Sequence, residues 1–232
     1  LDEWLPKEFL NEQERNSVGP SYKSYTWNGH QWALAADAAA QVSAYRRDLF
    51  QSFHLQVPKK WNEVFELINA LPEGLKIGLP LNPTHAFASF LTLCANLTGF
   101  DFWNEVSGIE QTAGEEALSL LQKLASIVHQ SSLSMNPIQM LDLMSSTDEL
   151  VYSPLIYGYV NYSLDHFAKH IIHFTDMPSV SSEPSGSVVG GVGIMVSAHS
   201  SYKQEAVNYV KYVVSEECQR GLYFNSGGQP GH

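Results

Sequence analysis

Residues 154–163 read PLIYGYVNYS, three tyrosines within six positions, with a glycine and an amide among them. A tyrosine ring offers a flat apolar face and one polar handle. Sugars present the matching surfaces: C–H patches that stack on rings, and a rim of hydroxyls that needs donors and acceptors. Tyr157, Tyr159 and Asn161 therefore form a candidate sugar wall, and WNGHQW at 27–32 and FDFW at 100–103 carry the same mixture. A plainer arrangement also suits these residues, in which Tyr157 and Tyr159 face one side of a strand and pack on a helix.

Other chemistries are thinner. His166, His170 and His173 fall at i, i+4 and i+7, with Asp165 and Asp176 near, which on a helix would gather metal ligands on one face. IIHF at 171–174 alternates like a strand, which breaks that face, so no metal site is expected. The acid pairs Glu115–Glu116, Asp148–Glu149 and Glu216–Glu217 sit at helix starts or on solvent faces, where the helix dipole favours them. None lies among the aromatic clusters, and no catalytic residue is assigned. There is no G-x-S-x-G and no G-x-x-x-x-G-K-[ST]. GSVVGGVG at 186–193 lacks the lysine of a phosphate loop and reads as a connector where backbones pass closely. No cofactor is implied. Asn96 and Asn161 each begin a glycosylation sequon, which matters only in a eukaryotic secretory setting.

The elements that must position these residues alternate. A short helix is expected in LDEWLPKEFLNE, and a hairpin turn at Asn28–Gly29. Strands are read at Gln31–Leu34 and Val42–Tyr45, then a short helix at Arg46–Phe53. Trp61, Val64, Phe65 and Ile68 share a helical face. A strand at 76–82 and a helix at 84–98 follow, then a loop or hairpin through residue 114. The stretch 115–130 reads as an amphipathic helix with Leu118, Leu121, Ala125 and Val128 inward. Another helix is expected at 137–147, and strands within DELVYSPLIYGYVNYS, HIIHFTDMP and VGIMVSA. A long helix is expected over SYKQEAVNYVKYVVSEECQRGLYFNS. Strands alternating with helices give an α/β class.

The chain has 232 residues, enough for one large domain or two small lobes. Its net charge of −11 argues against a nucleic-acid partner, which needs clustered lysine and arginine. Cys94 and Cys218 make neither a disulfide framework nor a metal pattern, and are read as two buried thiols. No apolar run reaches the ~20 residues of a membrane helix. The opening LDEWLPKEFL has no signal-peptide pattern and reads like the inside of a larger protein.

The run YTWNGHQWALAADAAAQVSAYRRDLF, followed by VPKKWNEVFEL, resembles the extracellular solute-binding proteins of bacterial ABC sugar importers, the maltose-binding-protein-like family. SGSVVGGVGIMVSAHSSYKQEAVNYVKYVVSEECQRGLYFNSGGQPGH is similar to that family's closing glycine strand, its helix and its G-G-Q-P turn. The resemblance implies a two-lobed α/β fold of the periplasmic-binding-protein type II, with residues 1–37 and 184–232 as an incomplete first lobe and 38–183 as the second. It implies capture of a small carbohydrate in an interlobe cleft and delivery to an ABC transporter permease, without catalysis. A carbohydrate-active enzyme, or a sensory or structural module keeping the fold, are the alternatives. By the same resemblance Tyr157 is the stacking platform and Tyr159 and Asn161 its neighbours. Asp37 bonds hydroxyls where the lobes meet, Gly190 and Gly191 admit close backbone approach, and Trp103 is a second platform. Gln229 and His232 reach the rim. The family's Ala-Leu-Pro is ALA here, with Ala35 in place of proline. A monomer, periplasmic or lipid-anchored at the bacterial surface, is the implied setting.

Overall fold

A computed structural model describes residues 1–99, 102–181 and 186–231. The chain divides into two compact units, Leu1–Ala39 with Val189–His232, and Ala40–Val188.

The larger unit is built on β4 (Ala39–Tyr45), β5 (Lys76–Ile77), β8 (Leu150–Tyr157) and β9 (His173–Thr175). β4 runs antiparallel to β8 and to β9, while β5 runs parallel to β8, so β8 is central. A central strand flanked by layers on both faces should be apolar throughout, and Leu150–Ile156 are all buried. Pro154 cannot donate to a ladder. It sits where the β4–β8 register shifts between Val42 and Ala44, and the Ser43 hydroxyl donates to its carbonyl at 3.1 Å.

The helices of this unit are α3 (Arg47–Ser52), α4 (Trp61–Ala70), α5 (Pro83–Thr98), α6 (Gln111–Ile127) and α7 (Pro137–Ser146). Trp61, Val64, Leu67, Leu93, Cys94, Leu124 and Leu155 fill one core layer. Met140, Leu141, Met144, Leu150, Ile156 and Ile172 fill the other. Helix α6 differs from expectation. It starts earlier, because the Glu110 carboxylate accepts from the Thr112 and Ala113 N–H groups at 3.0 and 2.8 Å. Its fully buried residues are Ala113, Ala117 and Leu124, whereas Leu118 is 56% exposed. The small residues Ala113, Gly114 and Ala117 lie against α5, and of the residues expected inward Leu121, Ala125 and Val128 pack partly buried on the core while Leu118 does not. A hairpin, β6 (Trp103–Asn104) and β7 (Gly108–Ile109), precedes this helix.

The smaller unit holds α1 (Lys7–Asn16), α2 (Ser21–Ser24), the hairpin β1 (Thr26–Trp27) and β2 (His30–Gln31), β3 (Leu34–Ala35), β10 (Val189–Gly190) and β11 (Gly193–Ile194). Asn28 and Gly29 turn the hairpin, both with positive φ. β11 pairs antiparallel with β3. The expected strand over 192–198 reduces to those two residues, and Gln31–Leu34 splits between β2 and β3. Leu5, Leu10, Leu34, Val207, Val210 and Val214 form the core. The expected long C-terminal helix is interrupted. It runs as α8 (Lys203–Val213), and then Ser215 caps a fresh start at α9 (Glu216–Cys218) by accepting from the Cys218 N–H at 3.3 Å. Cys94 and Cys218 are free and buried.

Candidate functional site

In the larger unit Tyr157 ends β8, opposite Gln41 of β4. Its ring is half-buried and meets the His85 ring edge-on at 5.9 Å. Burial raises the Tyr157 phenol above the ordinary range, with a smaller push from Tyr159, so the hydroxyl stays protonated and able to donate. Tyr159 is 36% exposed, and Asn161 lies half-buried in the 3-10 turn Val160–Ser163 that follows. Tyr162 is different: 5% exposed, its hydroxyl donates to Asp142 Oδ1 at 2.6 Å. The cluster therefore divides into two accessible rings and one that belongs to the core.

His85 escaped the sequence reading. Helix α5 begins after β5, which runs parallel to β8, so its N-terminus and Tyr157 lie at the carboxyl ends of neighbouring parallel strands. Open α/β sheets bind ligands at that edge. Asn82 caps α5, accepting from the His85 backbone N–H at 3.2 Å and lying 2.6 Å from His85 Nδ1. Burial pushes the imidazole below its ordinary pKa. The available signal was Asn82-Pro83 as a helix start directly after a strand; what sequence could not supply was the contact with Tyr157.

Trp103 is 58% exposed and faces Ile109 across its hairpin. It makes no ring contact with Tyr157, Tyr159 or His85 among the described residues. Phe100 and Asp101, the start of FDFW, lie outside those residues.

In the smaller unit Asp37 and the glycine segment meet. Asp37 Oδ1 accepts from the Val192 N–H at 2.5 Å, and Val192 O accepts from the Ala36 N–H at 2.8 Å. Gly191 has φ +131°, and a Cβ there would lie 2.8 Å from Asp37 O, so both conformation and space require glycine. Gly190 is half-buried in β10. Two tyrosines not foreseen flank this clip. Tyr25 lies over Gly193, where a Cβ would be 2.5 Å from its ring, and its hydroxyl donates to Gly191 O at 3.5 Å. Tyr223 lies over Gly228 in the same manner, at 2.7 Å. Burial first, and then the Asp37 charge, raises both phenols. Asp37 thus holds a backbone turn with one oxygen and sits near two hydroxyls. Pro230, next to Gln229, bridges to Asp37. His232 and Pro184 lie outside the described residues.

Among the described residues no three histidine, cysteine or acidic side chains are grouped to hold a metal. His166 adopts positive φ, His170 follows it in a loop, and His173 is in β9, so they share no helical face. His170 lies 3.9 and 3.7 Å from Asp48 and Asp148, which are bonded to the buried Arg46 guanidinium. Among the described residues no helix is long and apolar enough to cross a membrane.

No family model matches the chain. Solved structures do. The maltose-bound MalE3 of T. maritima superposes with a TM-score of 0.77 at 17% identity, over 97% of this chain and 60% of that one. An ABC transporter solute-binding protein from Thermotoga lettingae, bound with α-D-tagatose, gives 0.78 at 15% identity, over 100% of this chain and 63% of that one. One from Agrobacterium radiobacter, in complex with ribitol, gives 0.77 at 19% identity, over 99% and 60%. The chain thus has the α/β fold of two-lobed, periplasmic-binding-protein-like structures with one lobe incomplete, and spans about 60% of the length of those it matches.

Proposed function

We propose that this chain binds a small polyhydroxylated solute on the wall formed by Tyr157, Tyr159 and Asn161, and that the protein it represents hands that solute to an ABC transporter permease without altering it. The observation that carries this reading is the accessibility of Tyr157 and Tyr159 at the carboxyl end of a parallel strand pair, while the neighbouring Tyr162 is spent on the core. The fold lends support, since its solved neighbours include proteins holding maltose, α-D-tagatose and ribitol. In this reading Tyr157 stacks on the C–H face of the ligand, and Tyr159 and Asn161 bond its hydroxyls. Trp103 is a second platform. Asp37, Gly190 and Gly191 are the contacts assigned to the smaller unit, with Gly191 admitting close backbone approach. We place the protein as a monomer in the periplasm or lipid-anchored at a bacterial surface.

Thermal denaturation against maltose, α-D-tagatose, ribitol and D-mannitol, with chromatography of each sugar afterwards, tests the reading. A ligand present at a hundred times its Kd stabilises the folded form by about 2.7 kcal/mol. Stabilisation with the sugar recovered unchanged is the expected result; turnover would assign an enzyme instead, and no shift with any of them would remove the wall from solute binding.

A further inference from the structure

The wall beside β8 carries chemistry that narrows the ligand. Asn82 Oδ1 accepts the His85 backbone N–H as the cap of α5, so this atom is the carbonyl oxygen of the amide and not its NH2. The same oxygen lies 2.6 Å from His85 Nδ1. An amide carbonyl oxygen carries no proton to donate, so Nδ1 carries the proton, and in the neutral ring Nε2 is left as an acceptor. The imidazole and the Tyr157 ring meet at a steep 72°, with centroids 5.9 Å apart. Tyr157 meets the imidazole from β8, and Asn82 faces it from the turn ahead of α5. Among the described residues neither ring is hydrogen-bonded or ion-paired to a carboxylate, an ammonium or a guanidinium.

Resting on the proposed solute-binding reading, we infer that His85 holds a ligand hydroxyl through an unprotonated ring nitrogen, and that this wall selects uncharged polyols over phosphorylated, carboxylated or cationic solutes. A phosphate or an ammonium leaves water only for a compensating charge, and here it would meet two phenols, an amide and a neutral imidazole. A sugar hydroxyl can donate to Nε2 and accept from the tyrosine hydroxyls. The sign of the pH effect follows. Burial disfavours the charged imidazole, so the ring is neutral at and above pH 7. Acidification below its lowered pKa protonates Nε2, removes the acceptor and weakens binding.

Calorimetric titration with D-glucose, maltose and D-mannitol, and with D-glucose 6-phosphate and spermidine as charged probes, tests this from pH 8 to 5. The wild type should bind a neutral probe with constant affinity down to about pH 6.5, independently of salt. Below the lowered pKa the affinity should fall, by at most tenfold per pH unit. His85→Ala should weaken binding by about tenfold at pH 7.5. His85→Gln, which offers an untitratable carbonyl oxygen, should restore most of that affinity and abolish the acid loss. An acid loss that persists in His85→Gln overturns the role of His85. Tighter, salt-sensitive binding of the phosphate or of spermidine overturns the neutral class. If no probe of either kind binds the wild type, the solute-binding reading itself fails and this inference with it.

Discussion

Tyr157, Tyr159 and Tyr162 show how one residue type serves two ends within six positions. Tyr162 spends its hydroxyl on Asp142, and burial first, then that acceptor, push the phenol upward. Tyr162→Phe should therefore cost stability, on the order of 1 kcal/mol for the lost bond, and leave sugar binding unchanged; chemical denaturation and a titration together check this. Gly191 makes the opposite demand. Any side chain there adopts a rare φ and meets the Asp37 backbone at 2.8 Å. Gly191→Ala should destabilise the smaller unit by roughly 1–3 kcal/mol, visible as a lower denaturation midpoint and as faster amide exchange at Val192. Exchange at Val192 matching the wild type would mean that the Asp37 clip does not depend on this glycine. The tyrosines were readable from the sequence because ring, hydroxyl and neighbouring amide are properties of residue type. His85, Tyr25 and Tyr223 were not, since each matters through a neighbour distant in the chain: Tyr157 for the first, Asp37 for the other two.

Arg46 works at the level of elements. Fully buried between β4 and α3, its guanidinium forks onto Asp48 at 2.9 and 2.7 Å, reaches Asp148 at 2.8 Å, and donates to the Met144 and Thr147 carbonyls. It ties the end of β4 to the start of α3 and the end of α7. Hydrogen bonds from Arg46 hold the Asp48 and Asp148 carboxyls below their ordinary pKa. Both carboxylates are more than half exposed, so solvent screens the pairs. A carboxyl with a lowered folded pKa stabilises the fold above its unfolded value, about 3.9, and loses that contribution as pH falls through the folded value. Acid unfolding should thus steepen below about pH 4 in the wild type and flatten in Arg46→Met, which should also be less stable at pH 7. Parallel acid titrations followed by circular dichroism measure both. Equal slopes would mean that the pairs contribute nothing to acid stability. At this scale the sequence was legible where an element carries its own punctuation, as Asn28–Gly29 does for the hairpin. It misled where a neighbour decides. The α6 stripe kept Leu121, Ala125 and Val128 but not Leu118, because α5 packs on Ala113 and Ala117, and the C-terminal helix broke because Ser215 caps a new start.

The whole chain combines an alternation of strands and helices with an order of motifs that together point to one fold, and the solved neighbours have that fold at identities of only 15–19%. What the alternation does not carry is the division of the aromatic clusters. WNGHQW became a hairpin with Trp27 and Trp32 exposed, Trp103 stands on another, and among the described residues of these clusters PLIYGYVNYS delivers rings to the carboxyl edge of the larger unit's sheet. Isothermal titration of maltose, α-D-tagatose and ribitol into the wild type and into Tyr157→Ala measures whether those rings hold a ligand. Saturable binding to the wild type, weakened at least about tenfold by Tyr157→Ala while the melting temperature stays within a few degrees, is the predicted result; equal affinities in the two proteins would contradict it.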